Sequence, residues 1–319
     1  MLQRLVDWLV YSVFRFGRGS EPGGIINFFL YDAVKILFLL FFMIALIGFI
    51  RTYVSQNKIK GWISNKKILG NIFASLFGSI TPFCSCSSIP IFLSFLEAGI
   101  PLGVTFSFLV TSPIINEYLV IIMLGFFGWK ITALYILSGV IIGVVSGLVL
   151  GKMGLEKYLV KGLVVSETQR PVEKVYKNIK ERIVFGIDEA KSITGRLWVW
   201  VLLGVGIGAF IHNYVPQDTI HSIISKTGPF SVPLATVLGV PLYGSCAAIV
   251  PVAEVLFRKG VPLGTALAFM MATSALSFPE AVILRSAMRL QLIGIFFGVT
   301  AAAIVITGYL FNLIQVLMF

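Results

Sequence analysis

The chain has 319 residues, 57% hydrophobic and only 12% charged, with a net charge of +11. Soluble domains carry roughly 25% charged residues, so this composition excludes an ordinary soluble domain. Three cysteines exclude a disulfide framework. The aromatic residues lie in apolar runs rather than among the basic ones, which excludes a nucleic-acid platform and nucleic acid as a partner.

In chain order, Met1–Arg18 mixes Leu2, Val6, Leu9, Val10, Val13 and Phe14 with Arg4, Asp7, Arg15 and Arg18. The apolar positions recur at helical spacing. Residues 1–32 therefore read as an amphipathic segment in the membrane interface, or as the start of the first span, and not as a cleaved signal peptide. Residues 33–151 form a first transmembrane repeat. Ala33–Ile50 carries one charge, Lys35, and Ile131–Leu150 carries none; each is near the ~20 residues that cross a bilayer. Between them lie Ile68–Ile80, a proline-bounded segment Cys84–Leu96, a Gly-x-Pro-Leu-Gly turn at 99–103, and Val104–Thr111.

Residues 152–192 are a basic linker, predicted to be cytoplasmic. Ten of the 25 Lys/Arg lie in Lys152–Arg196, and basic loops report topology and contact with anionic lipid. Residues 193–319 form a second transmembrane repeat: Leu197–Ile211, Phe230–Val240, Cys246–Phe257, a second Gly-x-Pro-Leu-Gly turn at 260–264, Thr265–Thr273 and Leu292–Leu317. The expected fold is an all-α polytopic membrane protein of two homologous halves. It has about eight to ten membrane segments, including short proline-broken helices that line a cavity.

A shift of 161 residues aligns the halves without a gap from Phe49 to Phe108, with 16 identities in 60 positions. Chance in this composition gives roughly four or five. Gly78, Pro90, Gly99, Pro101, Leu102, Gly103 and Phe108 meet Gly239, Pro251, Gly260, Pro262, Leu263, Gly264 and Phe269. Charges oppose each other at matched loops. Arg51–Lys67 holds five Lys/Arg against one in His212–Thr227, and Glu97 stands where the second half has Arg258 and Lys259. That bias predicts an inverted repeat under the positive-inside rule.

The polar residues concentrate in two places. Cys84, Ser85, Cys86, Ser87 and Ser88 bring thiols and hydroxyls to one helix start, and Gly244, Ser245 and Cys246 bring a third thiol from the other half. A helix start favours thiolate, and thiolates select soft ions such as Cu(I) or Zn and suit trivalent arsenic. Cys84, Cys86 and Cys246 are thus candidate ligands of a metal substrate; close helix packing by small residues is the competing reading. Cys-x-Cys with no second pair does not make a structural zinc site. Pro82, Pro90, Pro113, Pro241, Pro251 and Pro279 are expected to interrupt helices and free backbone groups for substrate. Asn116 is a candidate substrate contact. Glu117 and Glu280, in apolar surroundings, are candidates for proton coupling or cation neutralisation. Glu254, four residues before Arg258, reads as half of a helix-surface ion pair. Arg285 and Arg289 are expected to snorkel to an interface. No phosphate loop of the Gly-x-x-x-x-Gly-Lys-Ser/Thr type occurs, so an ATP motor is not expected.

Pro82-Phe-Cys-Ser-Cys-Ser-Ser-Ile-Pro90, Gly99-Ile-Pro-Leu-Gly103 and Thr111-Ser-Pro-Ile-Ile-Asn-Glu117 resemble the ArsP-type predicted-permease family. The second half carries a weaker echo, from Gly244-Ser-Cys246 to Glu280. The resemblance covers nearly the whole chain. It implies a multi-pass permease of the cell (cytoplasmic) membrane, neither an enzyme nor cofactor-dependent. Characterised members are associated with efflux of trivalent organoarsenicals, and a related branch with copper or zinc efflux. The polar, His- or Cys-rich tail of the metal branch is lacking here. The expected function is secondary efflux of a small thiophilic substrate through a site at the repeat interface. A permease for a small sulfur-containing anion and a membrane-embedded thiol redox enzyme are the alternatives.

Overall fold

The computed structural model describes residues 2–14, 16–17, 20–52, 67–80, 85–97, 99–160, 178–214, 228–241 and 246–318. Within them the chain is helical and holds no strand; a single antiparallel bridge pairs Leu159 with Met288. Helix α1 (Leu2–Asp7) runs on as a π-helical turn to Val13. It is tied to the next helix by Asn27, whose amide donates to Asp7 at 2.8 Å. The first half continues as α2 (Glu21–Arg51), α3 (Lys67–Ile80), α4 (Ser85–Glu97), α5 (Leu102–Ile114) and α6 (Glu117–Lys152). The second half holds α7 (Ile179–Tyr214), α8 (Ser231–Gly239), α9 (Cys246–Arg258), α10 (Leu263–Ala275), α11 (Phe278–Leu284) and α12 (Leu290–Met318).

The helix bounds repeat at the interval found in the sequence. Adding 161 to the bounds of α4 gives those of α9, and adding it to α5 gives those of α10. Helix α6 has a non-helical residue at Gly128 (φ 75°, ψ 172°). The corresponding position, Arg289, lies in the break between α11 and α12. So α6 is α11 and α12 joined, with glycine taking the conformation at the bend. In the second half the bend is held from outside: Val160 N–H donates to Ala287 O at 3.0 Å, and Arg289 N–H to Tyr158 O at 2.9 Å.

Helices α2 and α7 are longer than their apolar runs. They begin at Glu21 and Ile179 rather than at Ala33 and Leu197, because charged residues at the ends of a membrane helix are solvated beyond the hydrocarbon layer. The two pack against each other. A Cβ at Gly186 of α7 would strike Ala45 O of α2 and stand 3.1 Å from Phe49 N, so glycine there permits the crossing.

The centre of the protein is α5 and α10, in contact with each other and buried at every residue. Each has 13 residues, about 20 Å, short of a ~30 Å hydrocarbon layer. The Gly-x-Pro-Leu-Gly motif explains how each is placed. Its first glycine, Gly99 (φ 73°) or Gly260 (φ 92°), takes the left-handed turn. The proline, Pro101 or Pro262, is the helix N-cap in extended backbone, where its missing N–H costs no helical bond. The second glycine lets a neighbour approach: a Cβ at Gly103 would meet Gly147 O at 2.7 Å, and one at Gly264 would strike Gly308 O. A further contact recurs in both halves. Gly78 faces Phe108 O and Gly239 faces Phe269 O, at 3.1 and 3.0 Å from the missing Cβ.

The halves are laced crosswise. Helix α4 of the first packs on α11 of the second, and α9 of the second on α6 of the first, where Phe127 and Phe257 lie 5.9 Å apart. Phe106 of α5 stacks on Phe296 of α12 at 5.4 Å. Around this core the outer helices turn large apolar residues outward, including Phe38, Ile121, Ile306 and Val316. In water such a surface would be untenable; against lipid it is expected. Four stretches among the described residues are long and apolar enough to span a bilayer: Pro22–Leu46, Leu119–Lys152, Leu290–Leu317, and Leu263–Leu284, which is α10 and α11 in succession.

Candidate functional site

The polar residues of the core gather where α5 and α10 end. The first half contributes Thr111, Ser112, Pro113 and Asn116, all buried. The second contributes Thr273, Ser274, Ser277 and Glu280, also buried. Ser88 of α4 and Ser112 of α5 share a 2.8 Å hydrogen bond, which fixes the start of α4 against the end of α5. Ser274 Oγ is buried with no hydrogen-bond partner among the described residues. Tyr135 closes the region on the α6 side, its hydroxyl donating to Ile114 O at 3.0 Å.

The thiol residues stand at two matched helix starts. Ser85 and Cys86 are the first two residues of α4, Cys84 directly precedes them in sequence, and Cys246 is the first residue of α9. Under the 161-residue shift Cys246 meets Ser85. Residues 81–84 and 242–245, and with them Pro82, Cys84 and Ser245, lie outside the described residues. So do the side chains of Ser85, Cys86, Ser87, Pro90 and Cys246. Among the described residues no three His, Cys, Asp or Glu side chains are grouped to hold a metal ion.

Two of the prolines depart from the expectation that they interrupt helices. Helix α9 continues through Pro251 and α4 runs unbroken across position 90, whereas Pro113 is the penultimate residue of α5, which ends at Ile114. Pro90 and Pro251 are each the sixth residue of their helix, so each removes one bond only, to the second residue's carbonyl. Both helices pack on neighbours, α4 on α2, α5 and α11 and α9 on α6 and α10, and such contacts can hold a helix over one missing bond. Pro279 sits in the first turn of α11, where proline is at home. Pro241 lies in the turn that ends α8.

The two carboxylates are not equivalent. Glu117 opens α6 and is half-buried, while Glu280 is in the first turn of α11 and only 2% exposed. The shift places Glu117 on Phe278 and Glu280 on Leu119, so neither has a charged counterpart. Glu254 Oε1 pairs with Arg258 Nε at 2.5 Å, as the four-residue spacing predicts. Arg285 is half-buried, and its Nη1 donates to Met288 O at 3.1 Å across the α11–α12 turn.

One polar cluster has no forerunner in the motifs. Asn71 and Ser75 of α3, Ser107 and Thr111 of α5, and Gly143 and Gly147 of α6 meet in the first half. Ser107 Oγ donates to Asn71 Oδ1 at 2.6 Å, and Thr111 Oγ1 to Ser107 O at 2.8 Å. The three four-residue spacings were the available signal. The second half has Val232, Thr236, Ala268 and Ala272 at the first four positions, so the cluster is asymmetric.

Helical throughout its described residues, apolar outside, and with buried polar residues where its two short central helices end, the molecule has the build of a multi-pass membrane protein. The family model described as a predicted permease, ArsP_1, matches residues 22–313, and the chain belongs to that family. A protein named as a subunit of a two-component membrane permease complex, from Streptococcus mutans, is 28% identical over 185 residues, covering 55% of this chain and 58% of its own. The UPF0718 protein YcgR of Bacillus subtilis is 25% identical over 182 residues, covering 56% of this chain and 60% of its own. The UPF0718 protein MJ0584 of Methanocaldococcus jannaschii is 19% identical over 324 residues, covering 84% and 89%. The chain thus spans about three-fifths of the first two relatives. No solved structure matches.

Proposed function

We propose that this permease is a secondary transporter of the cell membrane that effluxes a small thiophilic substrate, a trivalent organoarsenical or a soft metal ion, through a site between its halves. The observation that carries the reading is the pair of matched helix starts, with Cys86 in the first turn of α4 and Cys84 two positions before it in sequence, Cys246 opening α9, and crosswise packing joining each helix to the opposite half. Thiolates at helix N-termini bind soft, thiophilic centres. Three sulfurs would hold a trivalent arsenic or Cu(I) centre and still release it. Ser85, Ser87, Asn116 and Ser245 would line the path, and Glu117 and Glu280 would couple or neutralise charge. The recurring helix bounds and the opposed loop charges support an inverted repeat, the architecture that places such a site near the midplane. The same helix starts favour one second reading, a small sulfur-containing anion held by N-terminal N–H groups.

Vesicles containing the protein test both. Methylarsenite, Cu(I), Zn and thiosulfate fluxes are measured for wild type and for Cys84→Ser/Cys86→Ser/Cys246→Ser. Loss of methylarsenite or metal flux in the triple variant supports the thiol site. Undiminished flux removes it and leaves the permease. Thiosulfate flux in the wild type favours the anion reading, and thiol redox turnover without transport would point to an enzyme.

A further inference from the structure

The linker between the halves does not leave the bundle directly. After α6 ends at Lys152, Gly154 takes a left-handed turn (φ 59°) and Leu155–Tyr158 form one turn of 3-10 helix. The chain then runs as a strap across the turn between α11 and α12. Leu159 pairs with Met288 in the antiparallel bridge, between the Val160–Ala287 and Arg289–Tyr158 backbone bonds. Leu155, Leu159, Ala287 and Met288 are all buried, so the contact is packed as well as hydrogen-bonded. The turn beneath the strap bears on the candidate site. It ends α11, a helix of only seven residues whose first turn carries the buried Glu280. At its other end α11 is tied by Phe278 N–H, which donates to Val240 O at 2.9 Å. Its sides pack on α4, whose first turn holds Cys86, and on α7, into which the linker runs. The first half makes the corresponding bend at Gly128 within one continuous helix.

We propose that the strap is a latch on α11. Seated, it holds Glu280 inside the core; released, it lets α11 pivot about residues 285–289 and brings the carboxylate to the transport path. This rests on the assignment of Glu280 as a coupling or neutralising group. A short helix between two breaks has no helical continuity to keep it in line, so its position is set by what lies across its ends. Two backbone bonds and a small buried patch form the kind of contact that opens locally without unfolding the bundle. Both ends of the linker bear on the same helix: the strap covers its last turn, and α7 lies along its side. The linker is thereby part of the transport machinery and not only a tether between halves. The latch belongs to the second half, as does the more buried of the two carboxylates.

The bridge itself supplies the test. Leu159 and Met288 are a non-hydrogen-bonded pair, with the two bonds on either side. Such pairs have Cα atoms about 4.5 Å apart, within reach of a disulfide. Leu159→Cys/Met288→Cys is oxidised in vesicles, with wild type under the same oxidant as the control for the native thiols. Dicyclohexylcarbodiimide, an apolar reagent for membrane-buried carboxyl groups, then reports access to Glu280 by peptide mass spectrometry and needs no substrate. The cross-linked protein is expected to label at Glu280 at least ~10-fold more slowly than the reduced protein and to lose methylarsenite flux. Reduction restores both, and Glu117 labelling stays the same. Val160→Pro loosens the strap instead. It deletes one of the two N–H donors, and Leu159 already has the backbone (φ −72°, ψ 152°) that precedes proline. This variant is expected to label at Glu280 about 3–10-fold faster, the effect of one lost hydrogen bond. Equal Glu280 labelling in cross-linked and reduced protein overturns the latch, as does unchanged labelling in Val160→Pro or full flux through the cross-linked protein. Absence of methylarsenite flux in wild type counts against the proposed substrate, and the labelling still decides the latch.

Discussion

Ser107 donates a 2.6 Å hydrogen bond to Asn71 inside the bundle, and it does so because Gly147 has no side chain. A Cβ at residue 147 would fall on Ser107 Oγ and stand 2.9 Å from Asn71 Oδ1. Gly147→Ala is therefore predicted to force α6 away from α3 and α5, destabilising the protein by about 1–3 kcal/mol. Ser107→Ala removes only the bond, worth about 0.6 kcal/mol and at most about 1.7 within a membrane bundle. Unfolding in mixed micelles measures both. A Gly147→Ala protein as stable as Ser107→Ala contradicts the close approach.

The same comparison shows what could be read from the chain alone. The Gly-x-Pro-Leu-Gly turns were legible because each residue acts locally: Gly99 and Gly260 supply positive φ, and Pro101 and Pro262 cap the helix that follows. The 161-residue interval was legible for the same reason, and the bounds of α4, α5, α9 and α10 follow it. The fate of Pro90 and Pro251 was not legible. Whether a proline ends a helix depends on whether tertiary neighbours hold it across one missing bond, and the crosswise contacts of α4 and α9 that do so join residues far apart in sequence. The candidate residues at α4, α9 and the ends of α5 and α10 were legible as residue types only. The asymmetric cluster at Asn71 and Ser107 was not, because polar spacing within one helix says nothing about which helix lies opposite.

Gly128 tests the bend in α6. Its backbone (φ 75°, ψ 172°) lies in a region essentially closed to other residues. A Cβ there would meet nothing within 4 Å, so sterics add no penalty. Gly128→Ala is predicted to cost about 1–3 kcal/mol through conformation alone. Gly125→Ala, three residues earlier and equally open, is expected to be neutral or slightly stabilising. Equal stability of the two variants in the same unfolding assay counts against a fixed bend at 128.

The start of α10 gives a contrast between the halves. Asn312 and Gln315 supply side-chain acceptors to Gly264 and Leu263 N–H, while Gly151 and Gly154 stand at the matched positions. Asn312→Ala and Gln315→Ala are each predicted to cost about 1 kcal/mol, the usual value of a lost helix cap. Amide exchange localises the effect: faster exchange at Leu263 and Gly264, with Leu102 and Gly103 unchanged, is the expected pattern. Unchanged exchange at 263 and 264 would mean that the caps do not protect the helix start.

Glu280 and Glu117 differ enough to separate their roles. Glu280 is buried to 2% exposure in the packed core beside α10, whereas Glu117 is half-buried at the head of α6. A carboxylate that exchanges a proton or neutralises cargo inside the membrane should be the more buried of the two. Glu280→Gln, which keeps size and one acceptor oxygen but removes the charge, is therefore predicted to lower flux at least ~10-fold, about 1.4 kcal/mol of barrier, and to flatten its dependence on pH. Glu117→Gln is expected to lower it less and to leave the pH profile in place. The discriminating measurement is substrate flux in vesicles from pH 5.5 to 8.5 for the two variants side by side. A steep profile retained by Glu280→Gln and lost by Glu117→Gln would reverse the assignment and move the coupling group to the first half.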